Sequence, residues 1–161
     1  YRYFMNTNLF DHINIDKANT CVPNGLEADS DKACAEYNEI IANCGGIDLQ
    51  LLGLGPNGHI GFNEPDSVFI AGTHCVDLTE STIEANKIYF DENPMPHYAL
   101  TMGVKQIMSA KKIILIATGP KKAEAIKNMV EGEVTPKVPA SILQKHQDVV
   151  IFLDEAAAAL L

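Results

Sequence analysis

The chain is short of positive charge. Its 161 residues carry 12 Lys and Arg against 21 Asp and Glu, a formal net charge of −9. Binding along a nucleic-acid backbone needs a basic face, so that class of partner is excluded. A small anionic substrate would have to be held by a few local cations and backbone N–H groups. No run of 18 apolar residues occurs, so no membrane-spanning helix is expected. No basic segment leads into an apolar core of signal-peptide type. Cysteine pairs at metal or redox spacing are missing too. Cys21, Cys34, Cys44 and Cys75 show no Cys-x-x-Cys, so no metal site is expected and the thiols read as free groups of a cytoplasmic protein. Internal repeats, low-complexity linkers and composition breaks are absent. One domain over residues 1–161 is therefore expected. The first residue is Tyr1 and not a methionine, which reads as a piece of a longer protein.

What is present is concentrated between Leu49 and Ser67, LQLLGLGPNGHIGFNEPDS. Leu49 to Leu54 is an apolar run of the length of a buried strand. Gly55-Pro56-Asn57-Gly58 can continue neither strand nor helix. His59, Asn63 and Glu64 follow at once. Ligands in open α/β sheets gather at the carboxyl ends of strands. An imidazole and a carboxylate on a glycine-rich loop at such an end form a plausible acid–base pair, because His titrates nearest neutrality. The glycines at 53, 55, 58 and 61 remove side chains where a ligand could approach the backbone. Gly53, Gly55 and Gly58 also fit the G-x-G-x-x-G spacing of dinucleotide folds. His59 and Asn63-Glu64-Pro65, however, stand where a cofactor helix would have to pack.

Around this stretch the sequence predicts alternating helices and strands. A helix is expected over Tyr1–His12, and a turn at Pro23-Asn24-Gly25. A second helix opens at Asp29 or Ser30 with Ala33, Tyr37, Ile40, Ile41 and Cys44 on its apolar face, and stops at Gly45-Gly46. Thr73–Leu78 reads as a strand and Glu80–Tyr89 as a helix capped by Thr79. Tyr98–Met102 is a short strand before a short helix. Lys112–Ala117 and Val149–Leu153 are apolar runs of parallel-strand type. Thr118-Gly119-Pro120 turns into a helix with Pro120 in its first turn and Ala123, Ile126 and Val130 inward. A short helix starts at Pro139, and Asp154 caps the last segment. The class is α/β with a largely parallel sheet.

The motif GLGPNGHIGFNEPDS resembles the signature of the glucosamine-6-phosphate deaminases, the NagB-type isomerase-deaminases, and the resemblance runs from YRYFMNTNLFDHI to VVIFLD. The related 6-phosphogluconolactonases share a G-x-G-x-[DN]-G-H core but continue with a Ser-Leu-Phe-Pro-like segment in place of Phe62-Asn63-Glu64-Pro65. The resemblance implies a Rossmann-like three-layer domain (NagB/RpiA/CoA-transferase-like), incomplete at its N-terminus, of which these residues are the C-terminal two-thirds. It implies conversion of glucosamine 6-phosphate and water to fructose 6-phosphate and ammonia, in amino-sugar catabolism and without a cofactor. His59 then matches the ring-opening histidine and Glu64 the carboxylate that orients it. Asn57 sits where some members have Asp, and an Asn there makes His59 a less basic catalyst. Gly55 and Gly58 are expected at the substrate, and Lys122 matches a lysine that contacts its phosphate. Ile88, beside Lys87, stands where the family commonly has a phosphate-binding Arg. A proton-transfer Asp and a phosphate loop belong upstream of Tyr1, so these 161 residues alone are expected to be inactive. Two other readings stand beside the deaminase: a lactonase, and a sugar-phosphate sensor without catalysis. No nucleic acid and no membrane enters any of them, and a homo-oligomer is left open.

Overall fold

A computed structural model describes residues 1–90 and 95–161, with the side chains of Ala85 and Tyr89 outside the description. Three parallel strands form its centre: β1 (Leu49–Leu52), β4 (Lys112–Ala117) and β5 (Val149–Leu153), in the order β1-β4-β5. Leu52 pairs with Leu115, and Leu115 with Ile151. A second, antiparallel pair joins β2 (His74–Asp77) to β3 (Tyr98–Thr101), with Cys75 opposite Leu100.

Alternation along β4 decides which face is packed. Ile113, Leu115 and Ala117 are buried, and they meet Ile126 and Met129 of α5 (Ala123–Val130) and Leu143 of the 3-10 segment Pro139–Lys145. Ile107 and Ala110 at the end of α4 (Val104–Met108) close the same core. The opposite face carries Leu49, Leu51, Ile116 and Phe152, all exposed. Apolar residues on both faces are the composition of a sheet covered twice, but here helices cover one face. The run expected as a buried strand from Leu49 to Leu54 is thus a four-residue strand with its alternate leucines open, and only Leu52 and Leu54 are buried.

The helices follow their local signals. Helix α1 (Arg2–Met5) runs into a π-turn over Asn6–Phe10. Helix α2 (Ser30–Asn43) is capped by Asp29, whose carboxylate accepts from the N–H groups of Asp31 and Lys32. It ends where Gly45 and Gly46 take positive φ. Its buried residues are Ala33 and Cys34, while Cys44 is exposed at the C-terminal cap. The helix expected over Glu80–Tyr89 divides into α3 (Glu80–Asn86) and a 3-10 turn, Lys87–Tyr89. Pro120 opens a 3-10 turn (Pro120–Lys122) before α5. The four cysteines are free.

Candidate active site

The loop leaving β1 is folded onto itself by three glycines. Gly55 N–H donates to the His59 carbonyl at 2.9 Å, and Gly58 N–H to the Gly55 carbonyl at 3.0 Å. A Cβ on Gly55 would stand 2.2 Å from the His59 ring, so the imidazole occupies the space that the bare backbone leaves there. Gly58 and Gly61 have φ of +84° and +59°, a region that L side chains rarely adopt. The space at Gly55 and Gly58 is filled from within the chain, by His59 and by Val138.

Anchors outside the loop fix its far end. Asn63 is buried, and its amide nitrogen donates to the carbonyls of Ile60 at 3.0 Å and Met102 at 2.8 Å. Phe62 N–H donates to the hydroxyl of Thr101 at the end of β3. Ala140 N–H donates to the Gly58 carbonyl at 2.9 Å, tying the loop to the 3-10 segment that starts at Pro139. The Phe62 ring lies beside His59 with centroids 6.4 Å apart.

These constraints bring His59, Asn57 and Glu64 together in one line. Asn57 Oδ1 is 2.7 Å from His59 Nδ1, and Asn57 Nδ2 is 2.7 Å from Glu64 Oε2. Glu64 Oε2 itself stands 3.5 Å from Nδ1. The carboxylate therefore orients the imidazole through an intervening amide more than by direct contact. Both side chains are largely withdrawn from solvent, 14% exposed for His59 and 6% for Glu64.

Proton bookkeeping along this line fixes the imidazole tautomer. Burial would raise the Glu64 pKa, but hydrogen bonds from His59, Thr82 and Asn57 outweigh it and hold the group down to about 2. An ionised carboxylate only accepts, so Asn57 must turn its NH₂ toward Glu64. Its carbonyl oxygen then faces the ring, where it also accepts from the His59 backbone N–H at 3.3 Å. An acceptor at 2.7 Å requires that Nδ1 carry the proton. The neutral ring is left with its lone pair on Nε2, free to act as a base.

The second oxygen of Glu64 is held by hydroxyls. Thr82 on α3, 2% exposed, donates a short hydrogen bond to Oε1. Thr79, the N-cap of α3, lies 3.3 Å from the same oxygen and 3.1 Å from the Thr82 hydroxyl. Sequence reading marks Thr79 as a cap only and passes over Thr82. Nothing local ties Glu64 to a residue 18 positions on.

Lys122 reaches the start of the same loop. Its ammonium donates to the Leu54 carbonyl at 2.6 Å, at the carboxyl end of β1, and burial pushes its pKa down. Asp154, after β5, accepts from Gly119 N–H with both oxygens at 3.0 Å, and so fixes the turn from which Lys122 projects. Ile88 is 74% exposed on the 3-10 turn after α3.

A family model described as glucosamine-6-phosphate isomerases/6-phosphogluconolactonase matches residues 2–152. A curated glucosamine-6-phosphate deaminase of Clostridium perfringens is 58% identical over 162 aligned residues, covering 100% of this chain and 67% of its own length. One of Clostridioides difficile is 52% identical, with 99% and 64% covered. The chain thus spans about two thirds of the length of the curated relatives it matches. Among solved structures, a monomeric glucosamine-6-phosphate deaminase of the NagB superfamily superposes with a TM-score of 0.94 at 42% identity, covering 100% of this chain and 67% of that one. A 6-phosphogluconolactonase of Trypanosoma brucei shares the fold at a TM-score of 0.59 and 19% identity, covering 91% of this chain and 58% of that one.

Proposed function

The chain belongs to the glucosamine-6-phosphate isomerase/6-phosphogluconolactonase family, and from that premise we propose that the full-length protein is a glucosamine-6-phosphate deaminase. It converts glucosamine 6-phosphate and water to fructose 6-phosphate and ammonia, and the equation balances without a cofactor. The observation that carries this reading is the Glu64–Asn57–His59 line, which leaves Nε2 as the basic nitrogen. Opening the sugar ring needs a proton taken from the anomeric hydroxyl and one returned to the ring oxygen. A neutral imidazole with a free Nε2 can do both in turn. Lys122 supplies the cation for the phosphate.

The lactonase fold-mates share the architecture at low identity, whereas curated deaminases match at above 50%. We place the reaction in the cytoplasm, in keeping with the four free thiols, and in amino-sugar breakdown. A single subunit is taken as sufficient, a reading supported by the monomeric relative.

Ammonia release by the full-length protein tests this directly. We expect release from glucosamine 6-phosphate and no hydrolysis of 6-phosphogluconolactone. His59→Asn should lower kcat by ~10²–10⁴-fold while KM stays within a few fold. Binding of the sugar phosphate without turnover would instead make the protein a sensor. A His59→Asn variant that kept more than half of the turnover would remove His59 from the chemistry.

A further inference from the structure

We propose that Thr82 is a positioning residue of this site, whose hydroxyl, backed by that of Thr79, orients Glu64 and through it sets the tautomer of His59. The proposal rests on the deaminase reading for its kinetic readout and on geometry for the rest.

The direction of each proton follows from counting. Each hydroxyl has one hydrogen to give. Thr82 spends its own on Glu64 Oε1, the shortest contact in the group. The oxygen of Thr82 is then an acceptor, and Thr79, 3.1 Å away, donates its one hydrogen there, the nearer of its two acceptors. Thr79 in turn lies 3.1 Å from the Ser81 hydroxyl and accepts from the Thr82 backbone N–H. The hydroxyls form a directed row, Ser81 to Thr79 to Thr82, that ends on the carboxylate.

That row has a consequence at the far end of the line. With Oε1 taken by Thr82, Oε2 is left for Asn57 Nδ2 at 2.7 Å. The amide cannot flip, because its oxygen would then face a carboxylate oxygen. Its Oδ1 is therefore held toward Nδ1. Removing the Thr82 hydroxyl frees Glu64 to rotate away from Asn57 Nδ2. Without that acceptor the Asn57 amide can turn over, and Nδ1 then meets a donor. The ring shifts its proton to Nε2, and the base is lost. Thr82 is 2% exposed and its hydroxyl bonds to Glu64, so its effect passes through Glu64.

Three variants of the full-length protein test this, with kinetics on glucosamine 6-phosphate and ¹⁵N NMR of the imidazole. Wild type should show His59 as the Nδ1–H tautomer. Thr82→Val, which keeps the shape and deletes the hydroxyl, should lower kcat at least about tenfold, leave KM within twofold and populate the Nε2–H form. Thr82→Ser, which keeps the hydroxyl, should restore both kcat and tautomer to near wild type. Thr79→Val should act in the same direction and more weakly, and it is read in place of Thr82→Val if that variant does not fold. An unchanged kcat and tautomer in Thr82→Val overturns the proposal, as does equal damage in Thr82→Ser. If no variant and no wild type releases ammonia, the deaminase reading fails by itself, and the NMR arm still decides whether Thr82 sets the tautomer.

Discussion

Asn57 stands between His59 and Glu64, its amide oxygen 2.7 Å from the imidazole Nδ1 and its amide nitrogen 2.7 Å from the carboxylate. An amide can face a donor on one side and an acceptor on the other, which no carboxylate can do. Asn57→Leu keeps the volume and removes both contacts, so kcat should fall about 10²-fold with KM little changed. Asn57→Asp puts a second carboxylate against Glu64 and a negative charge beside the ring. A nearby negative charge favours imidazolium. The acid limb of the kcat/KM profile should therefore move to higher pH in Asn57→Asp. A profile that does not move in steady-state assays across pH would separate residue 57 from the proton-transfer step.

Much of this is legible in the sequence, and the boundary has physical causes. The strands Lys112–Ala117 and Val149–Leu153 have the ends that the apolar runs predict. Asp29, Gly45, Gly46 and Pro120 stop or start helices as their side chains dictate. His59, Asn57 and Glu64 lie within eight residues, so local sequence suffices to group them. Two things were not legible. The open face of the sheet at Leu49, Leu51, Ile116 and Phe152 depends on what covers it, and an apolar residue reads the same covered or bare. The grip of Thr82 on Glu64 depends on where α3 comes to rest, which tertiary packing decides.

Gly55 is required by the imidazole. A methyl group there would stand 2.2 Å from two ring atoms of His59, far inside contact distance. Because the ring is itself hydrogen-bonded to Asn57, it cannot retreat without breaking that bond. Gly55→Ala should destabilise the fold by ~1–3 kcal/mol, the usual cost of overpacking. It should lower kcat far more than a stability loss of that size explains. Thermal unfolding and kcat measured on the same preparation check this, and a variant with wild-type kcat would show that the ring tolerates displacement.

Glu64 links acid stability to the site. Its folded-state pKa, about 2, lies below the ordinary carboxylate value of 4.5. A depressed carboxylate contributes stability that is fully present above pH 4.5 and is lost as the pH falls toward 2. Glu64→Gln removes that contribution and keeps the shape. The denaturation midpoint of wild type should fall more steeply than that of Glu64→Gln between pH 4.5 and 2. Parallel curves over that window would show that the carboxylate is no more ionised in the folded protein than in the unfolded one.

A cavity of about 290 Å³ lies beyond Glu64 and Thr79, bordered by Asp66, His74, Val76 and Asp77. The resemblance implies that, in allosterically regulated members of the family, basic residues a few positions past the Asn-Glu-Pro segment hold an activator's phosphate between subunits. Here those positions align with His74 and Val76. Among the described residues bordering the cavity there is no Lys or Arg, and three carboxylates, Glu64, Asp66 and Asp77, disfavour a dianion. The full-length protein should show hyperbolic kinetics that N-acetylglucosamine 6-phosphate does not change. Sigmoidal kinetics abolished by that compound would contradict the expectation.

Lys122 is the cation proposed to meet the substrate phosphate. Its ammonium is bonded to the Leu54 carbonyl at 2.6 Å, and burial lowers its pKa. An arriving phosphate dianion favours the charged form and gives the lysine a better partner than a neutral carbonyl. Hydrogen bonds to charged groups are worth ~1.5–3 kcal/mol, so Lys122→Ala should raise KM at least about tenfold. The effect on kcat should be smaller, since a phosphate anchor serves ground and transition states alike. Ile88 gives the complementary test. It is 74% exposed, so a longer side chain meets no wall there. Ile88→Arg supplies the guanidinium that the resemblance implies at that position and should lower KM, most visibly in the Lys122→Ala background. If neither substitution moves KM in the full-length enzyme, the phosphate is anchored elsewhere, and the Lys122 bond to Leu54 serves only to join the α5 end to β1.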